Sequence, residues 1–358
     1  MKVNQKRSYY EDIELFRSNV VFGWVIAFLV FLFTFPIYAE SYTISVVNLM
    51  MVNVIVVVGL NMLIGNTGQI SLGHAGFFAI GCYTTAILMT KANIPFIFAL
   101  PMGGLLAAVF GFIVGLPALR LEGPYLAIAT IAFGLAIMHI IGHVDVCGGR
   151  MGLSAPALVI GIPGSRISWI LKSDKELYFL ILIITVLMIA GAKNILDTRP
   201  GRCFVAIRDS DVAAEVIGVN LMIYKTLAFA VSAFYAGIGG GLYGFVISFF
   251  DPSSFTILLS IIFLAMVVVG GLGSITGSIM GAVFITFLEY QLLSNVREVP
   301  VLGNILVYIS RKWFVVLGLE NFSNVALGAI MIVIILFEPL GLFGVWLRIK
   351  QYWKTWPL

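Results

Sequence analysis

The sequence predicts an all-α, polytopic membrane helix bundle of about ten transmembrane helices. Hydrophobic residues make up 61% of the 358 residues, and charged residues make up only 11%. Soluble domains carry roughly a quarter charged residues, which cover the surface that faces water. The apolar residues are also arranged in long runs, each close to the roughly 20 residues that a helix needs to cross a bilayer.

Ten apolar runs lie between charged or glycine-rich breaks. They cover residues 20–38, 42–64, 70–90, 95–117, 124–142, 177–192, 226–247, 257–270, 275–292 and 324–338. The chain is therefore predicted to consist of a transmembrane domain, 20–347, between an N-terminal segment, 1–19, and a C-terminal tail, 348–358.

Lys and Arg are more frequent in alternate loops, which predicts the orientation because basic residues stay on the cytoplasmic side. This places both termini and the charged loop 193–225, between the sixth and seventh runs, in the cytoplasm. Two long outer segments, 143–176 and 294–323, are predicted to lie along the membrane surface, where a soluble partner could dock.

Several functions are disfavoured by the residues that the sequence lacks. The sequence contains no GxxxxGK[ST] motif, so the chain has no P-loop to hold ATP phosphates, and it contains no HExxH, GxSxG or CxxC motif. The net charge is only +4 and the basic residues are scattered, which gives no footprint for nucleic acid. We expect neither a cofactor nor a metal, and the lipid bilayer is the surrounding phase.

Glycine pairs at small-xxx-small spacing indicate close helix packing, because a missing side chain lets two backbones approach in lipid. The glycines expected to act in this way are Gly237, Gly241, Gly244, Gly273, Gly277 and Gly281. The GxGxxG match from Gly239 to Gly244 lies inside an apolar run, without the preceding strand of a dinucleotide site.

Residues 65–76 interrupt two apolar runs with polar residues and glycines, and we call this segment the first break. One interpretation is a discontinuous helix whose N-terminus faces an anionic substrate. The other is a tight turn at the inner membrane edge, with His74 bonded to a neighbouring helix. The candidates for the substrate pathway are Gly68, Gln69, Ser71, Gly73, His74 and Gly76.

Residues 270–277, which we call the second break, share the spacing G-x-x-G-x-I with the first break. Transporters commonly contain internal repeats. The predicted spans, however, give both breaks the same direction, which does not fit an inverted repeat. A true repeat and a coincidence both remain possible at this point.

The charged loop 193–225 contains a short predicted helix, which Ser210 or Asp211 can cap and Gly218 can end. Acidic residues fall in its first turns, where the helix dipole favours them. A helix of about two turns is too short to be stable alone, so it should pack on this bundle or on a second protein.

The residues together resemble the membrane-spanning permeases of bacterial and archaeal ABC importers for branched-chain amino acids, of the LivM type. The first break and its continuation carry the resemblance as G-x-T-G-Q-I-S-L-G-H-A-G-F-F-A-I-G over 65–81. Further matching stretches are 123–130, 208–218, 224–229, 232–237 and 267–274. The resemblance extends from about Val20 to Leu347.

The resemblance implies a type II-like importer permease in the cytoplasmic (inner) membrane of a prokaryote. Its partners would be a sister permease of the LivH type, two cytoplasmic ABC ATPases and an extracytoplasmic substrate-binding protein. The chain itself would not be an enzyme, because ATP hydrolysis would occur in the ATPases. Similar permeases carry urea, short amides or other amino acids, so the substrate is left open among these.

The resemblance also assigns residues 208–220 as the coupling helix, with Ala213, Ala214 and Glu215 at the ATPase groove. The full set of residues implied in ATPase coupling is Arg208, Asp209, Asp211, Ala213, Ala214, Glu215 and Gly218. Two other classes remain as alternatives. An ion-coupled transporter would need intramembrane acid–base residues in a connected path, and an intramembrane enzyme would need a paired nucleophile and base.

Overall fold

A computed structural model gives the fold of the chain. It describes residues 19–117, 121, 123–156, 158–161, 168–171, 173–293, 328–329, 331–334, 336–338 and 340–355. The first six helices are α1 Asn19–Tyr38, α2 Ser41–Thr67, α3 His74–Thr90, α4 Phe96–Gly115, α5 Pro124–His143 and α6 Asp174–Asp197. The next six are α7 Arg199–Asp209, α8 Asp211–Val216, α9 Leu221–Ile247, α10 Ile257–Gly270, α11 Ile275–Phe287 and α12 Gly341–Thr355. A π-helical turn, Leu288–Leu293, continues α11.

The apolar runs predicted from the sequence correspond to helices wherever the structure describes them. Within the described residues, six helices have the length and composition to cross a membrane. They are Ser41–Thr67, Phe96–Gly115, Pro124–His143, Asp174–Asp197, Leu221–Ile247 and Pro252–Gly270. His74–Thr90 and Ile275–Tyr290 are shorter apolar helices. The predicted run 324–338 lies largely outside the described residues, and a total of ten spans stays a prediction.

The prediction of an all-α fold is wrong in two small places, where strands form. β1 Leu153–Ser154 pairs antiparallel with β4 Phe249–Phe250. β2 Leu158–Gly161 pairs antiparallel with β3 Ser168–Leu171 in the predicted outer segment 143–176. Backbone groups in loops need partners where helices end, and these short ladders supply them. The other predicted outer segment, 294–323, lies outside the described residues.

The centre of the bundle is formed by α2, α3 and α9, and α9 packs on α2, α3 and α4. Glycines allow this close approach. A methyl group added at Gly237 would lie 2.9 Å from the Cα atom of Gly104, and one at Gly241 would lie 2.6 Å from Leu100 Cδ1. A methyl group at Gly244 would lie 3.0 Å from the sulfur of Cys82.

The second group of predicted packing glycines is Gly273, Gly277 and Gly281, and Gly273 differs from the other two. Gly277 and Gly281 lie between α11 and α10, because added methyl groups would reach the carbonyl oxygens of Gly270 and Met266 at 2.7 and 2.0 Å. Gly273 was expected in the same role, but it lies outside both helices, in the turn that joins them, with φ +75°. The left-handed backbone of this turn favours glycine, which is the reason for its presence.

The two ends of the bundle differ in content. We call the end that holds the first break, the second break and α8 the Asp211 end. We call the opposite end, with β1, β4 and the loop 248–256, the Asp251 end. Helices α3, α5 and α9 run from the Asp211 end to the Asp251 end. Helix α12 starts at the Asp211 end, where a methyl group at Gly341 would lie 2.6 Å from the Val269 oxygen. It continues across the predicted boundary between residues 347 and 348.

Candidate functional site

The short helix α8 forms by the local signals that the sequence contains. The Ser210 hydroxyl caps it by accepting a hydrogen bond from the Ala213 nitrogen at 3.2 Å. Asp211 stands in the first turn, where the helix dipole favours a negative charge. The helix ends before Gly218, whose φ of +87° lets the chain turn away.

Helix α8 turns its larger apolar residues outward. Val212, Val216 and Ile217 are 73%, 81% and 73% exposed, whereas Ala214 is only 1% exposed. Ala213 and Glu215 are also exposed. Ala214 was expected at an ATPase groove together with its neighbours, but its side chain is buried in this chain. The outward surface therefore consists of valine and isoleucine side chains with Ala213 and Glu215.

An ion pair fixes α8 to the bundle. The Lys225 ammonium, on the first turns of α9, lies 2.5 Å from a carboxylate oxygen of Asp211. The Lys225 side chain is 8% exposed and that of Asp211 is 32% exposed. Removing one partner of such a pair leaves a charge with little water around it, which is costly. The ion pair therefore couples the position of α8 to the start of α9.

Arg208 and Asp209 were expected on one helix over 208–220, but the structure divides this stretch. Both residues end α7, and the chain breaks at Ser210, whose backbone is extended. A serine hydroxyl that caps the following helix competes with continuation of the preceding one, which explains the break. Arg208 turns toward the bundle and donates a hydrogen bond from Nη1 to the Gly65 oxygen at 3.0 Å. Helix α7 itself was not predicted.

The first break is a tight turn packed among three other helices. α2 ends at Gly68, which adopts φ +72°, and α3 begins at His74. The Leu72 nitrogen donates to the Thr130 hydroxyl of α5 at 3.0 Å, and the Ala75 nitrogen donates to the Ser260 hydroxyl of α10 at 2.9 Å. In this conformation, hydroxyl groups occupy N–H groups that an anionic substrate would otherwise use.

His74 joins the first break to α9. One ring nitrogen lies 2.9 Å from the Ser71 hydroxyl and the other lies 2.7 Å from the Ser232 hydroxyl. The imidazole is completely buried. This geometry is that of a histidine bonded to a neighbouring helix, which favours the tight turn over the open helix N-terminus. Gly73 and Gly76 serve the same packing, since methyl groups there would lie 2.1 Å from the Thr130 oxygen and 3.1 Å from the Gly134 Cα atom.

Gln69 is the exception among the polar residues of the first break. Its side chain is 6% exposed, and neither amide atom has a hydrogen-bond partner within the part of the chain that the structure describes. Buried amide groups are almost always paired, so an unpaired one requires an explanation. Among the pathway candidates with polar side chains, the Gln69 amide thus remains free to form hydrogen bonds in the described part of the chain. Ser71 and His74 instead bond to each other, and His74 also bonds to Ser232.

The second break is held by Asn61 of α2, a residue that the sequence analysis did not single out. The Asn61 amide oxygen accepts from the Gly273 nitrogen at 2.9 Å. Its amide nitrogen donates to the Ser274 oxygen at 2.9 Å and to the Ser278 hydroxyl at 2.6 Å. Burying an asparagine inside an apolar run costs free energy unless its amide is hydrogen-bonded. The presence of Asn61 in such a run is therefore the sequence feature that could have identified it.

These features define a polytopic membrane protein whose helices are interrupted at one end, next to a short helix with exposed apolar residues. This arrangement fits the class of multi-pass membrane permeases. Within the described residues, no group of three or more His, Cys, Asp or Glu side chains could hold a metal ion.

Comparison with known proteins identifies the family. Residues 42–335 match the family described as "Branched-chain amino acid transport system / permease component". The chain is 32% identical to the high-affinity branched-chain amino acid transport system permease protein LivM of Escherichia coli, over 89% of this chain and 74% of that protein. It is 30% identical to LivM of Salmonella typhimurium over the same shares. No solved structure matches the chain.

A more distant relative is the probable branched-chain amino acid transport permease protein LivH of Methanocaldococcus jannaschii. It is 23% identical over 84% of this chain and 92% of that protein. From the family match and the LivM relatives, the chain belongs to the permease-component family of branched-chain amino acid transport systems. It is a permease subunit of a branched-chain amino acid ABC importer, and its role in the membrane is transport rather than catalysis.

Proposed function

We propose that this permease is moved by two cytoplasmic ATPase subunits, one of which binds the outward surface of α8. The exposure of Val212, Val216 and Ile217 on an anchored helix is the observation that carries this proposal. Apolar side chains gathered on a polar loop indicate an interaction surface. The sequence contains no P-loop of its own, so separate subunits must bind and hydrolyse the ATP.

The coupling would work through the attachment of α8 to α9. ATP binding closes the ATPases and displaces α8. The Asp211–Lys225 ion pair then carries this displacement to the start of α9, the helix at the centre of the bundle. Ala214 contributes by packing α8 on the bundle, and Glu215 lies among the exposed residues, where it can meet a basic residue of the ATPase.

A sister permease of the LivH type would cover part of the surface that this chain leaves exposed. The exposed residues of α4 are bulky and apolar, as at Ile97, Leu105 and Phe112, which suits lipid. Helix α5 also exposes bulky apolar residues, such as Ile128 and Leu135, but in addition it exposes the ionisable side chain of His139. An ionisable residue is costly against lipid and favours a face covered by protein or water. We therefore place the second permease, or the pathway between the two, at α5.

The orientation follows from the same arrangement. The Asp211 end lies in the cytoplasm with both termini, and the Asp251 end faces the extracytoplasmic binding protein. The described part of segment 143–176 and the loop 248–256 form the docking surface for that protein. With the run 324–338 counted, the chain crosses the inner membrane of a prokaryote ten times. The fold is that of a type II-like importer permease.

The amino acid would pass close to the first break, where the Gln69 amide has no partner among the described residues. Gly68, Gly73 and Gly76 shape this segment, and Ser71 and His74 hold it. The binding protein would select the substrate, because few buried polar atoms in the described part of the permease are free to recognise one. Branched-chain amino acids are the proposed cargo, in agreement with the family.

The test is to express the chain with its sister permease, ATPases and binding protein. Val216→Asp should insert normally but lose ATPase co-purification and leucine uptake, because one buried interface residue can contribute about 2 kcal/mol, or a 30-fold change in affinity. Glu215→Lys should act in the same way. Ala214→Trp should lose uptake by displacing α8 from the bundle.

Val146→Asp is the matched control, since Val146 is 48% exposed at the Asp251 end. It should leave ATPase co-purification unchanged. Normal ATPase binding by both Val216→Asp and Glu215→Lys would refute the assignment of α8. Leucine movement by the chain alone in proteoliposomes, driven by an ion gradient, would refute the ATP-driven mechanism.

A further inference from the structure

Arg208 lies where α7, the first break and the second break meet. Its Nη1 atom donates to the Gly65 oxygen at 3.0 Å. A methyl group added at Gly68 would lie 3.5 Å from Arg208 Cγ, and one added at Gly273 would lie 3.3 Å from Nη1. One side chain thus touches the end of α2, the turn after it and the turn between α10 and α11.

The Gly65 oxygen is suited to bind a guanidinium. Gly65 lies in the last turn of α2, which ends at Thr67. The last four carbonyl groups of a helix lack partners within the helix, and the C-terminal end of its dipole attracts a positive charge. The bond therefore satisfies a carbonyl at the place where α2 stops.

Asp209 fixes the direction of the Arg208 side chain. Its Oδ1 atom accepts hydrogen bonds from Arg208 Nε and Nη2, each at 3.3 Å. All three guanidinium nitrogens therefore have partners, two on Asp209 and one on Gly65. A lysine has one rotatable ammonium and cannot hold both partners in this fixed geometry.

The two breaks are in backbone contact beside Arg208. A methyl group at Gly65 would lie 2.3 Å from the Gly273 nitrogen and 2.0 Å from the Asn61 amide oxygen. Asn61, on the same helix as Gly65, holds the Gly273 nitrogen. A displacement of the Gly65 carbonyl therefore reaches the second break without passing through a flexible side chain.

On its other side, Arg208 is next to the surface assigned to the ATPases. Only Asp209 and Ser210 separate it from α8, and the Ser210 nitrogen still bonds to the Ala206 oxygen of α7 at 3.1 Å. The Asp211–Lys225 pair holds the start of α8 on α9. Any movement of α8 must pull on the last turn of α7.

We propose that Arg208 is a positioning residue that transmits the movement of α8 to both glycine breaks, and that it does not bind the ATPase. This role rests on the proposed function of α8 as the docking helix. Helix α8 would then be connected to the bundle in two ways. Lys225 connects it to α9, and Arg208 connects it to the turn between α2 and α3 and to the turn between α10 and α11. ATP binding by the ATPases, which displaces α8, would change the angles at these turns through the Gly65 carbonyl.

The experiment uses the complete importer in proteoliposomes, with Arg208→Ala, Arg208→Lys and Arg202→Ala. Arg202 is exposed on the same helix and serves as the matched control. ATPase co-purification, ATP hydrolysis stimulated by the loaded binding protein, and leucine uptake are measured for each. With Arg208→Ala, the ATPases stay bound and hydrolysis continues, but the leucine transported per ATP falls about tenfold, within the usual range of coupling between sites.

Arg208→Lys should restore part of this ratio, because an ammonium can still donate to the Gly65 oxygen. Arg202→Ala should leave it unchanged. An unchanged ratio in Arg208→Ala would overturn the proposal, and so would a loss of the ATPases from a normally inserted subunit. If Arg208→Ala does not insert, the leucine transported per ATP is measured in Arg208→Lys and Asp209→Asn instead, and an unchanged value in both would overturn the proposal. Failure of the wild-type chain to bind any ATPase would refute the proposed function instead.

Discussion

The two glycine breaks share a backbone feature and are held differently. Each contains a glycine in the left-handed region, Gly68 with φ +72° and Gly273 with φ +75°, and a new helix follows within a few residues. The first break is bonded to α5, α9 and α10 through Thr130, Ser232 and Ser260. The second break depends on one α2 side chain, Asn61, and on contact with the start of α12.

This difference indicates that a shared local sequence pattern does not determine which neighbouring helices bond to a turn. The first break lies among α5, α9 and α10, each of which offers it a hydroxyl group. Within the described residues, the second break lies beside α2 and α12. We infer that the first break is the stiffer joint and the second the more easily moved one. Both lie at the same end of the bundle, so the resemblance of their spacing does not describe an inverted repeat.

The largest effect is expected for Gly73→Leu in the first break. A single methyl group there would already lie 2.1 Å from the Thr130 oxygen, so a leucine must push α3 and α5 apart. Overpacking of this kind costs about 1–3 kcal/mol or more. The amount of folded protein should fall below the wild-type level, and leucine uptake should not be detected. Gly23→Leu is the control, because a methyl group at Gly23 meets nothing within 4 Å. Normal uptake by Gly73→Leu would show that the first break yields easily.

Asn61→Ala tests how far the second break depends on one residue. It removes three hydrogen bonds and leaves the Gly273 nitrogen and the Ser274 oxygen without Asn61. A buried group left unpaired costs about 1–3 kcal/mol. The Tm in detergent should therefore fall clearly.

Asn53→Ala is the matched comparison for Asn61→Ala. It lies on the same helix but makes one bond to a side chain of α11, Asn53 Nδ2 to Thr286 Oγ1 at 2.9 Å. A single interhelical hydrogen bond in a membrane contributes about 0.6 kcal/mol, so its Tm should change less. Equal changes in the two variants would mean that Asn61 does not hold the second break.

Gln69→Leu tests whether Gln69 contacts the transported amino acid, in contrast to the residues that stabilise the first break. Because the Gln69 amide is buried and unpaired in the described part of the chain, leucine should keep or raise the Tm. Uptake should nevertheless fall several-fold. Ser232→Ala should show the reverse pattern, with a lower Tm and normal uptake per inserted subunit. A lower Tm with unchanged uptake in Gln69→Leu would contradict this division.

The smallest effect is expected far from both breaks, at Asp251. Hydrogen bonds from the Ser253 and Ser254 hydroxyls lower the pKa of this carboxyl group. Because the folded-state pKa lies below the unfolded one, the stabilisation is present at neutral pH and is lost as the pH falls through the lowered pKa. Wild type should be slightly more stable than Asp251→Asn at pH 7, and the difference should shrink only as the pH falls below about 4, toward the lowered pKa. A gap in Tm that persists at low pH would exclude this cause.

Local sequence signals predicted much of the site because they act over a few residues. Ser210 capping α8 and Gly218 following its end could be predicted, as could the interruption of the helices at both breaks. Arg208 could be named as important, but not its partner, since Gly65 lies 143 positions away along the chain. Helix α7, which ends just before Ser210, was not predicted, because its charged stretch contains no long apolar run.

The amino-acid sequence by itself predicted a membrane-embedded helix bundle, because hydrophobicity and the length of apolar runs depend only on residue types and their order. The function of a permease was implied by the resemblance to a family. The sequence also determined where the helices stop, because glycine and polar residues act on their own backbone. Only the tertiary structure decided which groups those stops bond to. It assigned Ser71 and His74 to holding the turn, left Gln69 without a partner among the described residues, turned Ala214 inward and brought Arg208 to Gly65. Such pairings depend on contacts between helices distant in the sequence, and no local pattern encodes them.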